Sequence, residues 1–148
     1  MLTRILAATV AGGIAFFILG FVIYGLILDP MVMKPNMNEF AGLTKDPPSW
    51  IPLVLANLAN ALLLAYIFDK WGVRTFVDGA KGGAIVSFLI TLTIQLFFAA
   101  FMNLSKNYIP PLADVIGSIV LGAIVGGVIG QVLGMMNKGS SATPAASD

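Results

Sequence analysis

Neither cysteine nor histidine occurs anywhere in the chain. That absence excludes disulfides, thiol nucleophiles, imidazole metal ligands, axial haem histidines and serine–histidine catalysis. Charge is scarce as well: 10% of the residues are Asp, Glu, Lys or Arg, and eight basic side chains against seven acidic ones leave a net charge of +1. No field of one sign is present to attract nucleic acid, and no acidic block to act as a solvating tail. Apolar residues fill the space: they make up 58% of 148 residues, and the mean hydropathy of +0.95 places the chain among membrane proteins.

Four apolar stretches are long enough to cross a hydrocarbon core of about 30 Å at about 1.5 Å per helical residue. They fall at residues 5–28, 50–69, 82–104 and 111–136. The predicted fold is therefore an all-α integral membrane four-helix bundle in one domain over residues 1–137, followed by a disordered tail, 138–148, of small polar residues. The first stretch exceeds the apolar region of a secretory signal and no small-residue cleavage pattern closes it, so it reads as a retained helix. Trp50 and Trp71 bracket the second stretch at the spacing of the two interfacial aromatic belts. Pro52 falls in the first turn of that helix, where its missing N–H does least harm. Pro110 and Pro111 open the fourth stretch in the same way.

The fourth stretch carries a repeat. Ser118, Gly122, Gly126, Gly130 and Gly134 recur every fourth residue, with Asp114 one step earlier. Small residues at this spacing clear one stripe of a helix for close approach of another backbone. The drift of the stripe divides it into a close-packing half, Gly122 to Gly134, which fits against the third or first span, and a polar half, Asp114 and Ser118. A second stripe runs along the third span as Gly83, Ser87, Thr91, Gln95, Ala99 and Asn103.

Amides in apolar helices are costly toward lipid, so Asn57, Asn60, Thr91 and Gln95 are expected to look inward. Two readings stand for them: interhelical hydrogen bonds, or the lining of a polar path completed by Asn103, Asp114 and Ser118. Asp114 likewise reads either as an acid favoured by the helix N-terminus or as a protonatable group at the mouth of that path. Met31, Met33 and Met37 lie together in the long connection 29–49. They read as thioethers for a soft ion such as Cu(I), or as flexible apolar contacts at the membrane surface. No further ligand type supports a metal, so no metal and no cofactor is expected.

With the N-terminus inside, Arg4, Lys70, Arg74, Lys81 and Lys138 are cytoplasmic and Lys34, Lys45 and Lys106 are outside, which favours both termini in the cytoplasm. The two hairpins then run in the same direction, so an inverted repeat within one chain is not available. Gly20 and Tyr24 near the outer end of the first span, and Asp78–Gly79 ahead of a third span opening Gly82–Gly83, resemble a family of uncharacterised small bacterial four-helix membrane proteins. The resemblance implies four helices in a bacterial inner membrane and no particular activity. Where that family carries Trp-Tyr followed by Ser or Thr and Pro, this chain has Ile23–Tyr24–Gly25–Leu26. The glutamate that small multidrug-resistance transporters place inside the first span has no counterpart between Ile5 and Leu28.

The expected function is non-enzymatic, since no nucleophile–base pair or metal constellation is visible. The chain reads as a packing or accessory subunit associating through glycine-rich helix faces, or alternatively as a small transporter or channel lined by Asn57, Asn60, Gln95 and Asp114. The lipid bilayer is its expected partner, with a homo-oligomer or a larger membrane complex beyond it and no nucleic acid.

Overall fold

The computed structural model describes residues 1–45 and 47–140, so the predicted tail, 138–148, falls largely outside the described residues. Among the described residues, four helices are long and apolar enough to cross a membrane. Helix α1 spans Leu2–Asn36, α2 Trp50–Lys70, α3 Phe76–Phe101 and α4 Ile109–Ser140. No strand occurs among the described residues beyond one isolated antiparallel bridge, Met37 to Ser105.

Two boundaries differ from the sequence reading, each for a local reason. The third helix begins at Phe76 rather than near residue 82 because Thr75 caps it. The Thr75 hydroxyl accepts from the Asp78 N–H at 3.1 Å and donates to the Asp78 carboxylate at 2.8 Å, a threonine N-cap inside what looked like a charged loop. The first helix does not stop at Asp29–Pro30. It is α-helical over Leu2–Gly20, widens to π-helical turns over Phe21–Met33, and closes with an α-helical turn at Lys34–Asn36. A proline inside an α-helix clashes with the carbonyl four residues back and removes one N–H. Pro30 lies within the widened stretch, where hydrogen bonds reach five residues back and the helix continues past it.

The spatial order is not the chain order. Helix α1 packs against both α2 and α4, while α3 packs almost wholly against α4. Helices α1, α2 and α4 share the apolar core: Ile5, Ala8 and Phe16 meet Ala61, Leu64, Ala65 and Phe68, and Val125, Ile129 and Leu133. Gly12 sits where the three converge. A methyl group there would lie 2.6 Å from Ile129 Cδ1 and 3.2 Å from Ala61 Cβ, so Ile129 would have to move to admit it.

Helix α3 joins this triangle through backbone contact. A Cβ on Gly83 would fall onto the Gly122 carbonyl oxygen and 2.9 Å from Gly126 Cα, and one on Gly79 would fall onto the Gly126 carbonyl oxygen. From the other side, a Cβ on Gly130 would lie 2.5 Å from the Thr75 carbonyl oxygen, and one on Gly134 would strike the Arg74 carbonyl. The two stripes thus meet in antiparallel register, Gly79 near Gly130, Gly83 near Gly126, Ser87 near Gly122. This contact consumes the glycine face within the chain, and Gly122, Gly126, Gly130 and Gly134 are all buried.

Candidate functional site: a pocket over Asp114

Where the stripe of small residues ends, side chains force α3 and α4 apart. Continuing the same register, Thr91 comes level with Ser118 and Gln95 with Asp114. Ser118 is buried and donates to the Val115 carbonyl of its own helix at 2.8 Å. Gln95 Nε2 donates to Asp114 Oδ2, the one side-chain hydrogen bond described between the two helices. Above this pair opens a pocket of about 500 Å³.

Three helices and the turn between α3 and α4 build it, the turn supplying Met102, Asn103, Lys106 and Tyr108 among others. Helix α1 contributes Tyr24 and Met33; α3 contributes Gln95, Phe98 and Ala99; Asp114, Pro110 and Pro111 come from α4. The Tyr24 hydroxyl donates to the Asp114 backbone carbonyl at 3.2 Å. The π-helical turns explain how one helix supplies both Tyr24 and Met33. Nine residues advance about 900° in an α-helix, which would place them on opposite sides. The wider turn brings both round to the pocket.

The rim is a backbone clip. The N–H of Asn38 donates to the Leu104 carbonyl and that of Lys106 to the Asn36 carbonyl, each at 2.8 Å. Asn38 Nδ2 donates to the Asn103 carbonyl at 2.9 Å, Asn107 Nδ2 to Asn36 Oδ1 at 2.9 Å, and Lys106 Nζ to the Pro35 carbonyl at 3.3 Å. The end of α1 is thereby tied to the turn between α3 and α4. Asp114 is five residues inside α4, about 7 Å from its start along the axis, so the pocket has a carboxylate at its base and an ammonium group at its rim.

The predicted polar residues divide. Gln95, Asn103 and Asp114 line the pocket, whereas Asn57 and Asn60 do not approach it. Helices α2 and α3 touch only slightly, because α2 packs mainly on α1 and α3 on α4. Asn57 Nδ2 donates to the Leu53 carbonyl of its own helix at 2.8 Å, and Asn57 borders an apolar groove between α1 and α2. Asn60 is exposed. The polar interior expected around Asn57, Asn60, Thr91 and Gln95 is therefore not assembled. The methionine group is also redistributed: Met31 is 71% exposed, while Met33 and Met37 line the pocket together with Met102 of the following turn.

A second constellation, which the sequence reading passed over, closes the opposite end. Asp69, whose side chain is only 3% exposed, receives Arg4 in a two-point contact, Nε to Oδ1 at 2.8 Å and Nη2 to Oδ2 at 3.2 Å. Arg74 Nη2 reaches Asp69 Oδ1 at 3.0 Å, and Arg4 Nη1 donates to Asn137 Oδ1 at 3.2 Å. One carboxylate thus ties the start of α1, the end of α2, the α2–α3 turn and the last turns of α4. The flanking charges looked like topology signals; only the fold reveals that three of them meet.

No protein-family model matches the chain, and no curated protein or solved structure matches it.

Proposed function

We propose that the chain is a non-enzymatic multi-pass protein of a bacterial inner membrane, with both termini cytoplasmic, that holds a small organic cation in the pocket over Asp114. The observation that carries this reading is the placement of one carboxylate at the base of an open pocket of about 500 Å³ whose lining includes three aromatic rings and three thioethers, with the Lys106 ammonium and the amides of Gln95, Asn103 and Asn107 among its polar groups. Ligand sites are typically concave, largely apolar and equipped with a few convergent polar groups. Phe98, Tyr24 and Tyr108 offer ring faces that attract a cation. Met33, Met37 and Met102 are flexible enough to adapt to different apolar substituents. Such a site suits the first stage of transport. Below Ser118 the backbones of α3 and α4 close on each other at Gly83 and Gly122, so the pocket has a floor between these two helices.

The test compares benzyltrimethylammonium with its neutral isostere neopentylbenzene by calorimetry on the purified chain in nanodiscs. The cation is expected to bind, and Asp114→Asn to weaken it about tenfold or more, the loss of one contact to a charged group. Equal affinity for the neutral compound, or an unchanged Asp114→Asn variant, would overturn the assignment. Alkaline carbonate extraction checks the membrane reading separately.

The accessory-subunit reading keeps one observation in its favour: α2 and α3 present long exposed apolar faces. Those faces, rather than the internally consumed glycine stripe, would meet another membrane helix.

A further inference from the structure

Asn60 occupies the eleventh of the twenty-one residues of α2, the midpoint of a helix that would cross the bilayer. Its side chain is exposed, and among the described residues it makes no hydrogen bond. A carboxamide turned toward hydrocarbon at that depth is costly unless another helix supplies a donor and an acceptor. Its neighbours on the helix surface are not random. Leu53, Ala56, Asn60 and Leu63 follow one another at steps of three, four and three residues, and all four are exposed. That is the spacing of a coiled-coil seam. The buried residues of the helix are Ala61, Leu64, Ala65, Phe68 and Asp69, and Ile67, the next position of the seam, packs partly against the core, so the free seam ends at Leu63.

The geometry points to a parallel dimer in which α2 of one chain packs along α2 of a second copy, with Asn60 bonded to Asn60 across the two-fold axis. Three features select a second copy over an unlike partner. A carboxamide carries both donor and acceptor, so it is its own complement. A copy inserted in the same direction presents its Asn60 at the same depth without further adjustment. A single amide among apolar seam residues, with small Ala56 beside it, is the arrangement that fixes register and pairing in parallel helix dimers. The proposal rests on the membrane-crossing reading but not on the pocket, which α1, α3 and α4 build without α2.

Because the chain contains no cysteine, single-cysteine cross-linking needs no prior removal of native thiols. Leu53→Cys, Ala56→Cys, Asn60→Cys and Leu63→Cys are compared with Leu55→Cys and Leu62→Cys, two exposed positions off the seam, by copper-phenanthroline oxidation of membranes. Disulfide-linked dimers are expected at positions 53, 56 and 63, where Asn60 is retained, more weakly at residue 60, where the substitution itself removes the amide, and not at the two others. Dilution-dependent energy transfer between labelled full-length chains in nanodisc-forming lipid then reads affinity. Asn60→Leu is expected to weaken association roughly 3- to 20-fold, the range of interhelical amide bonds in membranes, while Asn60→Gln retains most of it. Equal cross-linking at every position, which marks random collision, would overturn the proposal. So would no cross-linking at all, which leaves the seam to lipid or to an unlike helix. Carbonate extraction of the same membranes separates either failure from a failure of the membrane reading.

Discussion

The two ends of the molecule are held by different means. At the Arg4 end, a nearly inaccessible carboxylate gathers two guanidinium groups, and glycines let α3 and α4 touch backbone to backbone. At the Asp114 end the same two helices meet through the side chains of Gln95 and Asp114 beside a pocket, and two main-chain and three side-chain hydrogen bonds tie residues 35–38 to the α3–α4 turn. One helix pair thus passes from solid packing to an open site along its length, as the residues of its stripe grow from Gly to Ser, Thr and Gln. The proposed binding site thus lies at the end without the glycine contact and the buried ion pairs, where lower local stability is common for binding regions.

Four substitutions test that contrast, and their expected effects on stability decline in order. Gly126→Leu should be the most damaging, because its Cβ would enter the Gly79 carbonyl oxygen and backbone cannot rotate aside as a side chain can. A loss of at least about 3 kcal/mol is expected, at the top of the overpacking range. Reversible unfolding in mixed micelles measures it, and a loss below about 1 kcal/mol would break the picture of a solid end. Asp69→Asn comes next, since it leaves Arg4 and Arg74 without their counter-ion. Removing one partner of a fully buried pair costs about 3–5 kcal/mol; here both arginines are about a quarter exposed, so about 2 kcal/mol is expected in the same assay.

At the other end, Lys106→Pro deletes the N–H that bonds the Asn36 carbonyl. A local cost of about 1 kcal/mol should show as faster amide exchange at Asn38, with exchange near Phe68 unchanged. Asp114→Asn is expected to change stability least, by under about 1 kcal/mol, because Gln95 keeps a carboxamide partner. If it destabilised the fold as much as Asp69→Asn, the two carboxylates would not be doing different jobs.

Much of the architecture could be read from spacing alone. The four apolar runs, the tryptophans at the ends of α2 and the four-residue stripes of α3 and α4 are local patterns, and local patterns survive folding. Neighbourhood could not be read in the same way. Nothing in α2 and α3 states that one packs mainly on α1 and the other on α4, so Asn57 and Asn60 were expected to look inward with Gln95 when they face elsewhere. Pro30 was visible, but its usual effect is to end a helix; that the turn widens instead depends on packing around Tyr24 and Leu28, which meet Gly117 of α4. The Arg4–Asp69–Arg74 cluster joins residues sixty-five and five positions apart, and each charge alone resembles an ordinary helix flank. Of the pocket, Gln95, Asn103 and Asp114 stood out as polar residues in apolar helices, whereas Met102 and Tyr108 carried no signal beyond their position near a turn.

The repeat that lets α3 and α4 touch also creates an ambiguity. Gly122, Gly126, Gly130 and Gly134 are interchangeable under a slide of one helical turn, so glycine alone would accept several alignments of the hairpin. A slide of four residues would set Asp114 against Thr91 or Ala99, neither of which replaces the Gln95 amide. The pair at the base of the pocket therefore acts as a key that selects one alignment among several of similar fit. The residues best placed to receive a ligand are also those that tell the two helices where to stop.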